Sequence, residues 1–516
     1  MRTNKVLKNT IYGGIGYALN LFLSFFARSV FIIFLGVEYN GVNSLFNGIL
    51  NALNLAELGF ASAVAYSLYK PLNCGDEKNI ATIMNYLQKI YRIVALIVLA
   101  MGVCCIPFLQ YLIKEDISEL PFSLLQLRIY FSIFLCNTVC SYFLAYKRTL
   151  LTADQNIYII NNVDNASNIV LNLIQIITLW LTKNYYAFLF VMLAKTILNN
   201  LILQIIANHK YKFLKLYKNE IISCDEKRAI IKNVKALMLH KVSSMIVLNS
   251  VTILISALVG VTENGLYSNY VLITNGITAF VNILINAIVA SVGNYCVEAT
   301  TEKQFELFKK INYLITWISF FTFTCFICLF NPFITLWIDE SMLFSYKIVI
   351  LISATQSLQY FRRSLLIFRD AKGLFQKDKY VSLIEAIVSI VLALLGGYLW
   401  GVFGILLGYL VASLFIALPW ESYVLFKYGF NKPSLKFCVG EFAVVALIFV
   451  VSLLISYVCM LIHNANIVGF ICKMLICVGM SNIIFLFSTF WMDENKYFRR
   501  LIKSNFITLK NKFAKK

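Results

Sequence analysis

Fourteen apolar runs, most of them about 20 residues long, are distributed along this 516-residue chain. A helix rises 1.5 Å per residue, so a run of that length crosses a hydrocarbon layer of roughly 30 Å. The runs lie at 10–35, 41–67, 90–113, 121–146, 157–181, 185–207, 242–260, 266–292, 311–331, 346–368, 381–399, 402–425, 438–462 and 467–490. With 60% hydrophobic and only 14% charged residues, the chain lacks the polar surface a soluble protein of this size needs. A lipid-embedded backbone must satisfy its own hydrogen bonds, and long unalternating runs do so as helices. The expected fold is therefore an all-α polytopic membrane protein of about fourteen transmembrane helices. The first run is too long for a signal peptide and lacks a small-residue cleavage site, so it is read as a span.

Charge orients these spans. With the N-terminus inside, only Lys114, Lys183 and Lys347 of the 45 lysines and arginines fall in outside segments. Arg28, Arg128, Lys195 and Lys473 lie deeper within spans, and the remaining 38 are inside or at the inner ends of spans. This asymmetry predicts both termini in the cytoplasm and an even number of helices. The net charge of +20 then requires no nucleic acid; anionic lipid near the basic C-terminal tail accounts for the rest. Single cysteines at 36–40, 114–120, 261–265 or 339–345, in a cysteine-free background, should react with an impermeant reagent from outside. Cysteines at 70–89 or 208–241 should not, and outside labelling of 208–241 would reverse the topology. The thirteen native cysteines form no metal-ligand spacing, and no disulfide, metal or cofactor is expected.

The chain also contains a faint copy of itself. Lys8–Asn51 laid over Lys232–Asn275, at a constant offset of 224, gives nine identities in 44 ungapped positions. Most crowd around one short turn: Gly36, Val37, Asn40, Gly41 and Ser44 fall on Gly260, Val261, Asn264, Gly265 and Ser268. A second echo sets Lys147-Arg148-Thr149-Leu150-Leu151 against Arg362-Arg363-Ser364-Leu365-Leu366. Internal repeats of one orientation indicate two related bundles about an axis along the membrane normal, as in transporters. The expected organisation is residues 1–220 as a first six-helix lobe, 221–430 as a second, and 431–516 as two further helices with a basic cytoplasmic tail. Residues 225–241 are expected to form an amphipathic helix on the membrane surface.

Polar residues inside the spans mark where chemistry is possible. At 100° per residue, Asn43, Asn47, Asn51, Asn54 and Glu57 share one face of the second run, and Ser268, Asn275, Thr278, Asn282 and Asn286 share one face of the eighth. The first run carries Tyr17, Asn20, Ser24 and Arg28; the fifth carries Asn161, Asp164, Asn165, Asn168, Asn172 and Gln175. Such faces must meet protein or water rather than lipid. For the first, second and eighth runs a hydrated cavity is expected; for the fifth, cavity and interhelical packing both remain open. A charge at mid-membrane costs about 2.5–3.5 kcal/mol on insertion scales, so Arg28 and Glu57 stand out as a functional pair or a structural one. Asp164 is a candidate carrier of a proton or cation. Arg128 and Lys473 lie near enough to an end to snorkel, and Glu385 and Glu421 are expected at the interface.

The runs Leu35-Gly36-Val37-Glu38-Tyr39-Asn40-Gly41, Asn54-Leu55-Ala56-Glu57-Leu58-Gly59-Phe60 and Leu68-Tyr69-Lys70-Pro71-Leu72 resemble the bacterial polysaccharide-transporter family. So do Leu151-Thr152-Ala153-Asp154-Gln155-Asn156-Ile157-Tyr158 and Gly265-Leu266-Tyr267-Ser268-Asn269-Tyr270. The resemblance extends over nearly the whole chain. It implies the multidrug, oligosaccharidyl-lipid and polysaccharide exporter (MOP) superfamily, with two six-helix lobes around a cavity lined by the first, second, seventh and eighth helices. It further implies a flippase in the bacterial cytoplasmic membrane, carrying undecaprenyl-diphosphate-linked oligosaccharide outward for capsule or O-antigen synthesis. Polysaccharide polymerase and glycosyltransferases are the partners it suggests.

Such cargo suits the residues. Arg28 would meet the diphosphate; Asn20, Ser24, Asn47, Asn51, Asn54, Asn275, Asn282 and Asn286 would meet sugar hydroxyls; Glu57 and Asp164 would balance charge. No bond need be broken, so no enzymatic activity is expected. A cation-coupled drug exporter of the same superfamily is the nearer alternative. A membrane glycan polymerase or ligase is the enzymatic one, disfavoured by short outside loops with scattered acids.

Overall fold

A computed structural model describes residues 2–54, 60–218, 220–374, 377–378, 380–462 and 466–513. Among these residues every regular element is helical. Ten helices are long and apolar enough to cross a membrane, one of them the 50-residue stretch Val381–Phe430. That stretch is two spans: Gly401 (φ 60°, ψ −138°) breaks it, as the separation of the eleventh and twelfth apolar runs predicts. Around the break the two arms pack backbone to backbone. A Cβ on Gly396 would lie 2.4 Å from the Gly404 carbonyl oxygen, and one on Gly408 2.6 Å from the Ala393 amide nitrogen. The second, seventh and tenth runs complete the set as helices that are short, interrupted or partly described, so each of the fourteen runs has a helical counterpart.

The chain divides into two compact units, Met1–Ser268 and Asn269–Lys516. In the first unit the helices are α1 (Arg2–Leu35), α2 (Val37–Leu53), α3 (Phe60–Cys74), α4 (Glu77–Cys105), α5 (Leu124–Ala153), α6 (Ile157–Thr182), α7 (Tyr185–Lys210), the short α8 (Phe213–Leu216), α9 (Cys224–Leu258) and the start of α10 (Val261–Glu298). Polar caps start them where the sequence supplies an acceptor: Asp76 for α4, a Ser123–Gln126 capping box for α5 and Ser223 for α9. Helix α5 packs on α4 and α7, and α1 lies along α6. An aromatic cluster of Phe31, Tyr39, Tyr130 and Tyr185 joins one end of α1, α2, α5 and α7, with ring centroids 4.7–6.2 Å apart.

Two expectations change here. The compact division after Ser268 reflects the packing of α9 on α2 and α3 and is distinct from the repeat-based lobe boundary at 220/221. Residues 225–241 form no separate surface helix; they continue into the span as one 35-residue helix, α9. The second run is not one helix: α2 ends at Leu53, Asn54 is its C-cap (φ −68°, ψ 4°) and α3 begins at Phe60. The polar face is described as far as the cap Asn54, and Glu57 lies outside the described residues.

In the second unit α11 (Thr301–Trp337) is central. It packs on α12 (Tyr346–Phe361) and α13 (Arg363–Ala371), and on α16 (Ser434–Met460) and α17 (Ile467–Ser488). The broken α14 (Val381–Ala412) and α15 (Leu418–Val424) complete the bundle, and α18 (Asp493–Phe513) follows α17. The last two spans are docked rather than peripheral. Phe320 and Cys328 of α11 form a buried cluster with Ile455, Cys459, Cys477 and Phe485 of α16 and α17. The cysteines there pack as small apolar residues.

Candidate functional site

The repeated turn is where the structure concentrates polar contacts within the first unit. Gly36 and Gly260 both take positive φ (99° and 154°), the region open to glycine, and each redirects the chain from one helix into the next. Gly36 N–H donates to Ile32 O at 2.9 Å and Gly260 N–H to Ile255 O at 2.9 Å. Glu115, from the connection between α4 and α5, accepts from the Val261 and Thr262 amides at 2.8 and 3.0 Å. A carboxylate is favoured there by the positive end of α10.

Beyond the turns, α2 crosses the start of α10 with almost no side chain between them. A Cβ on Gly41 would sit 1.7 Å from Val261 O, and one on Gly265 2.3 Å from Val37 O. The polar contacts are reciprocal. Asn40 Nδ2 donates to Gly265 O at 2.9 Å, and Asn264 Nδ2 donates to Gly41 O at 3.0 Å. Both amides are fully buried, at 1% and 0% exposure, where an unmet amide would be costly. Each pair of equivalent atoms differs by the sequence offset of 224, so this contact has a local twofold. Gly41→Val should force the two backbones apart. In a cysteine-free background carrying Ser44→Cys and Asn264→Cys (side chains 3.5 Å apart), it should lower disulfide cross-linking severalfold. Unchanged cross-linking would show that the crossing tolerates a side chain.

Arg28 breaks the symmetry, since the repeat places Thr252 opposite it. From α1 its Nη1 donates to Asn40 Oδ1 and to Ser268 Oγ, the latter at 2.8 Å. Asn40 Nδ2 also reaches Ser268 Oγ at 2.8 Å. The guanidinium is thus held by neutral oxygens. Among the described residues no carboxylate lies within ion-pair distance, and Nε and Nη2 have no protein acceptor. Planar donors without a counter-charge, fixed by one nitrogen, are suited to a phosphate-type anion.

The other candidates separate by direction. On α2, Asn47 and Asn51 are exposed although most of their helix neighbours from Leu45 to Leu50 are buried; Asn47 Nδ2 bonds its own helix at Asn43 O, 2.7 Å away. Asn54 has a buried Oδ1 with no partner among the described residues. In the second unit, Asn275 and Asn286 are exposed and Asn282 is half-buried. By helical arithmetic these three lie within about 40° of one another, opposite the exposed Ile277 and Leu284. One side of this stretch of α10 is therefore apolar and the other carries amides that lipid would leave without partners.

Asn20 and Ser24 point elsewhere. Asn20 Nδ2 donates to Asn165 Oδ1 of α6 at 2.8 Å, and Ser24 Oγ folds back on Asn20 O at 2.8 Å. Asp164 is gripped by the Arg148 fork at 2.8 and 3.0 Å and accepts from Asn199 Nδ2 at 2.7 Å. The polar face of the fifth run is thus largely interhelical packing among α1, α5, α6 and α7. A charge-carrying role for Asp164 requires the Arg148 fork to open.

The second echo of the repeat hides a cluster that sequence reasoning misplaced. Glu385 and Glu421 are buried, not interfacial. Both grip Arg362, which donates at 2.7 and 3.0 Å to Glu385, at 2.6 and 2.9 Å to Glu421, and at 2.6 Å to Ser413 Oγ. Its counterpart in the echo, Lys147, is also buried and donates to Asn208 Oδ1. The signal available in the sequence was the echo itself.

No family model matches the chain, and no curated protein matches it. Solved structures do. A lipid II flippase MurJ in an inward closed conformation aligns with a TM-score of 0.64 at 16% identity, over 95% of this chain and 100% of its own. An inward-facing multidrug resistance MATE family transporter of the MOP superfamily aligns with a TM-score of 0.62 at 13% identity, over 80% of this chain and 94% of its own. An outward-facing structure of a transporter of that family gives 0.52 at 14% identity, over 82% and 96%. At such identities the likeness is one of fold: the chain has the architecture of MOP-superfamily transporters.

Proposed function

We propose that this protein is a flippase that moves polyprenyl-diphosphate-linked oligosaccharide across the bacterial cytoplasmic membrane, for a surface polysaccharide such as capsule or O-antigen. The observation that carries this reading is Arg28: a guanidinium within a span, held by Asn40 and Ser268 through Nη1, with Nε and Nη2 left for an anion. A lipid diphosphate presents acceptor oxygens that a planar fork matches. Asn47, Asn51 and Asn54, and the strip Asn275, Asn282 and Asn286, offer the alternating donors and acceptors that sugar hydroxyls need. Asn20 and Ser24, bonded to Asn165 and to their own helix, would meet sugar hydroxyls only after giving up those bonds. Glu57 balances Arg28 when the site is empty, and the polyprenyl tail stays in lipid. The cycle is alternating access, in which the site is exposed first to the inside and then to the outside.

A cation-coupled drug exporter is the second reading, favoured by the likeness to MATE transporters. Two features favour the flippase. A cation at the site repels cationic drugs, and the lipid flippase structure aligns over 95% of this chain against 80% for the inward-facing drug exporter. The test is a deletion strain of the bacterium that encodes the protein. Loss of surface polymer with accumulation of its lipid-linked repeat unit inside supports the proposal. Accumulation of the lipid-linked peptidoglycan precursor reassigns the cargo, and drug sensitivity with normal glycans supports the exporter.

A further inference from the structure

A cavity lies in the Asn269–Lys516 unit, between α11, α16 and α17 at the foot of α18. Its volume is about 430 Å³, within the roughly 300–1,000 Å³ range of small-ligand sites. It is amphipathic along its length. One end is walled by Phe320, Leu447 and Val451; the other is lined by Glu441, Lys309 and Glu494. From Phe308 to Phe320 the α11 wall rises about 18 Å, somewhat more than the roughly 15 Å hydrocarbon depth of one leaflet. Leu447 and Met492 on the rim are exposed, so the cavity opens on the surface of its unit.

Glu441 is the unexplained group in this cavity. It is 5% exposed, on a membrane-spanning helix, and makes no ion pair among the described residues. Its Oε1 accepts from Asn312 Nδ2 at 3.0 Å. Asn312 is itself oriented by Ser364 Oγ, which donates to Asn312 Oδ1 at 2.6 Å. The carboxylate is therefore positioned, yet its Oε2 is buried with no partner among the described residues. A buried carboxylate oxygen facing a cavity calls for a donor, best a cationic one. Nearby, Lys309 lies 3.9 Å from Glu494, a loose pair with donors to spare.

We propose that this cavity binds a phospholipid with a primary-ammonium headgroup, phosphatidylethanolamine in chemical class. The ammonium donates to Glu441 Oε2, the phosphate lies against Lys309, and one acyl chain fills the apolar end between α16 and α17. A primary ammonium has three N–H donors, whereas a quaternary choline has none, so the site discriminates between two lipids of the same net charge. Bound lipid then seats the last two spans against α11.

The test is lipid exchange on the full-length protein in detergent, followed by native mass spectrometry with phosphatidylethanolamine or phosphatidylcholine of identical chains. One phosphatidylethanolamine per chain should survive at detergent levels that strip phosphatidylcholine, with at least tenfold preference. Glu441→Gln should abolish the preference. Leu447→Trp, a substitution at an already exposed rim position, should block the cavity and remove the bound lipid while the protein remains folded. Equal retention of the two lipids, or a preference that survives both substitutions, would overturn the proposal.

Discussion

Arg28→Ala is expected to abolish the proposed glycan export while full-length protein stays in the membrane. Two hydrogen bonds from a guanidinium to a diphosphate, each worth about 1.5–3 kcal/mol, correspond to roughly 100-fold or more in rate or affinity. Arg28→Lys keeps the charge and loses the fork, so it should recover only part of the activity. The measurement is complementation of the deletion strain, scored by surface polymer and by lipid-linked glycan retained inside, with direct binding of the lipid-linked glycan to purified protein. Because Asn40 also holds Arg28, Asn264→Ala, which removes the reciprocal bond to Gly41 O without touching Arg28, separates the two roles. It should weaken the crossing of α2 and α10, seen as a lower melting temperature in detergent, and leave glycan binding in place. Normal export by Arg28→Ala at matched expression would exclude the diphosphate role. If Arg28→Ala fails but Arg28→Ala with Glu57→Ala works, the pair is structural, and Lys195 and Arg128 become the candidates for the cargo's charge.

Arg362→Ala should have the largest effect on stability. It leaves Glu385 and Glu421 buried without their cation, and such a break costs about 3–5 kcal/mol. That is a large share of a total stability of about 5–15 kcal/mol, so yield and melting temperature in detergent should both fall. Joint replacement by Arg362→Met, Glu385→Leu and Glu421→Leu removes the buried charges together and should restore much of the loss. If Arg362→Ala melts as the native protein does, the cluster does not hold α13, α14 and α15 together. If the triple variant is stable but inactive, the cluster has a role in transport beyond packing.

These two arginines differ in how far the sequence revealed them. Arg28 stood out because a charge in an apolar run needs an explanation, and the repeat marked the turn beside it. What the sequence did not show is that Asn40 and Ser268 would hold it, or that Gly41 and Gly265 would let two backbones touch. Arg362 looked like one of several basic residues at an inner helix end, and its two acids looked interfacial. They are 23 and 59 residues away, and only folding brings them onto one guanidinium. Asn20 shows the reverse error. It shares a face with Arg28 on paper, yet it bonds Asn165 on another helix. A helical wheel ranks residues by angle and says nothing of which neighbour stands at that angle.

The sequence by itself determined the spans, the break at Gly401 and the twin turns at Gly36 and Gly260. Each depends on a local quantity: the transfer energy of about 20 consecutive residues, or the freedom of glycine to take positive φ. The offset of 224 also foretold a twofold relation, and the reciprocal bonds of Asn40 and Asn264 realise it locally. Only the tertiary structure decided which polar residues are glue and which remain available. Asp164, Glu385 and Glu421 are spent on arginines, whereas Arg28, Asn47 and Asn51 keep donors or acceptors free. The reason is physical: a buried polar group takes whichever partner the packing of distant helices delivers, and that pairing is a property of three dimensions.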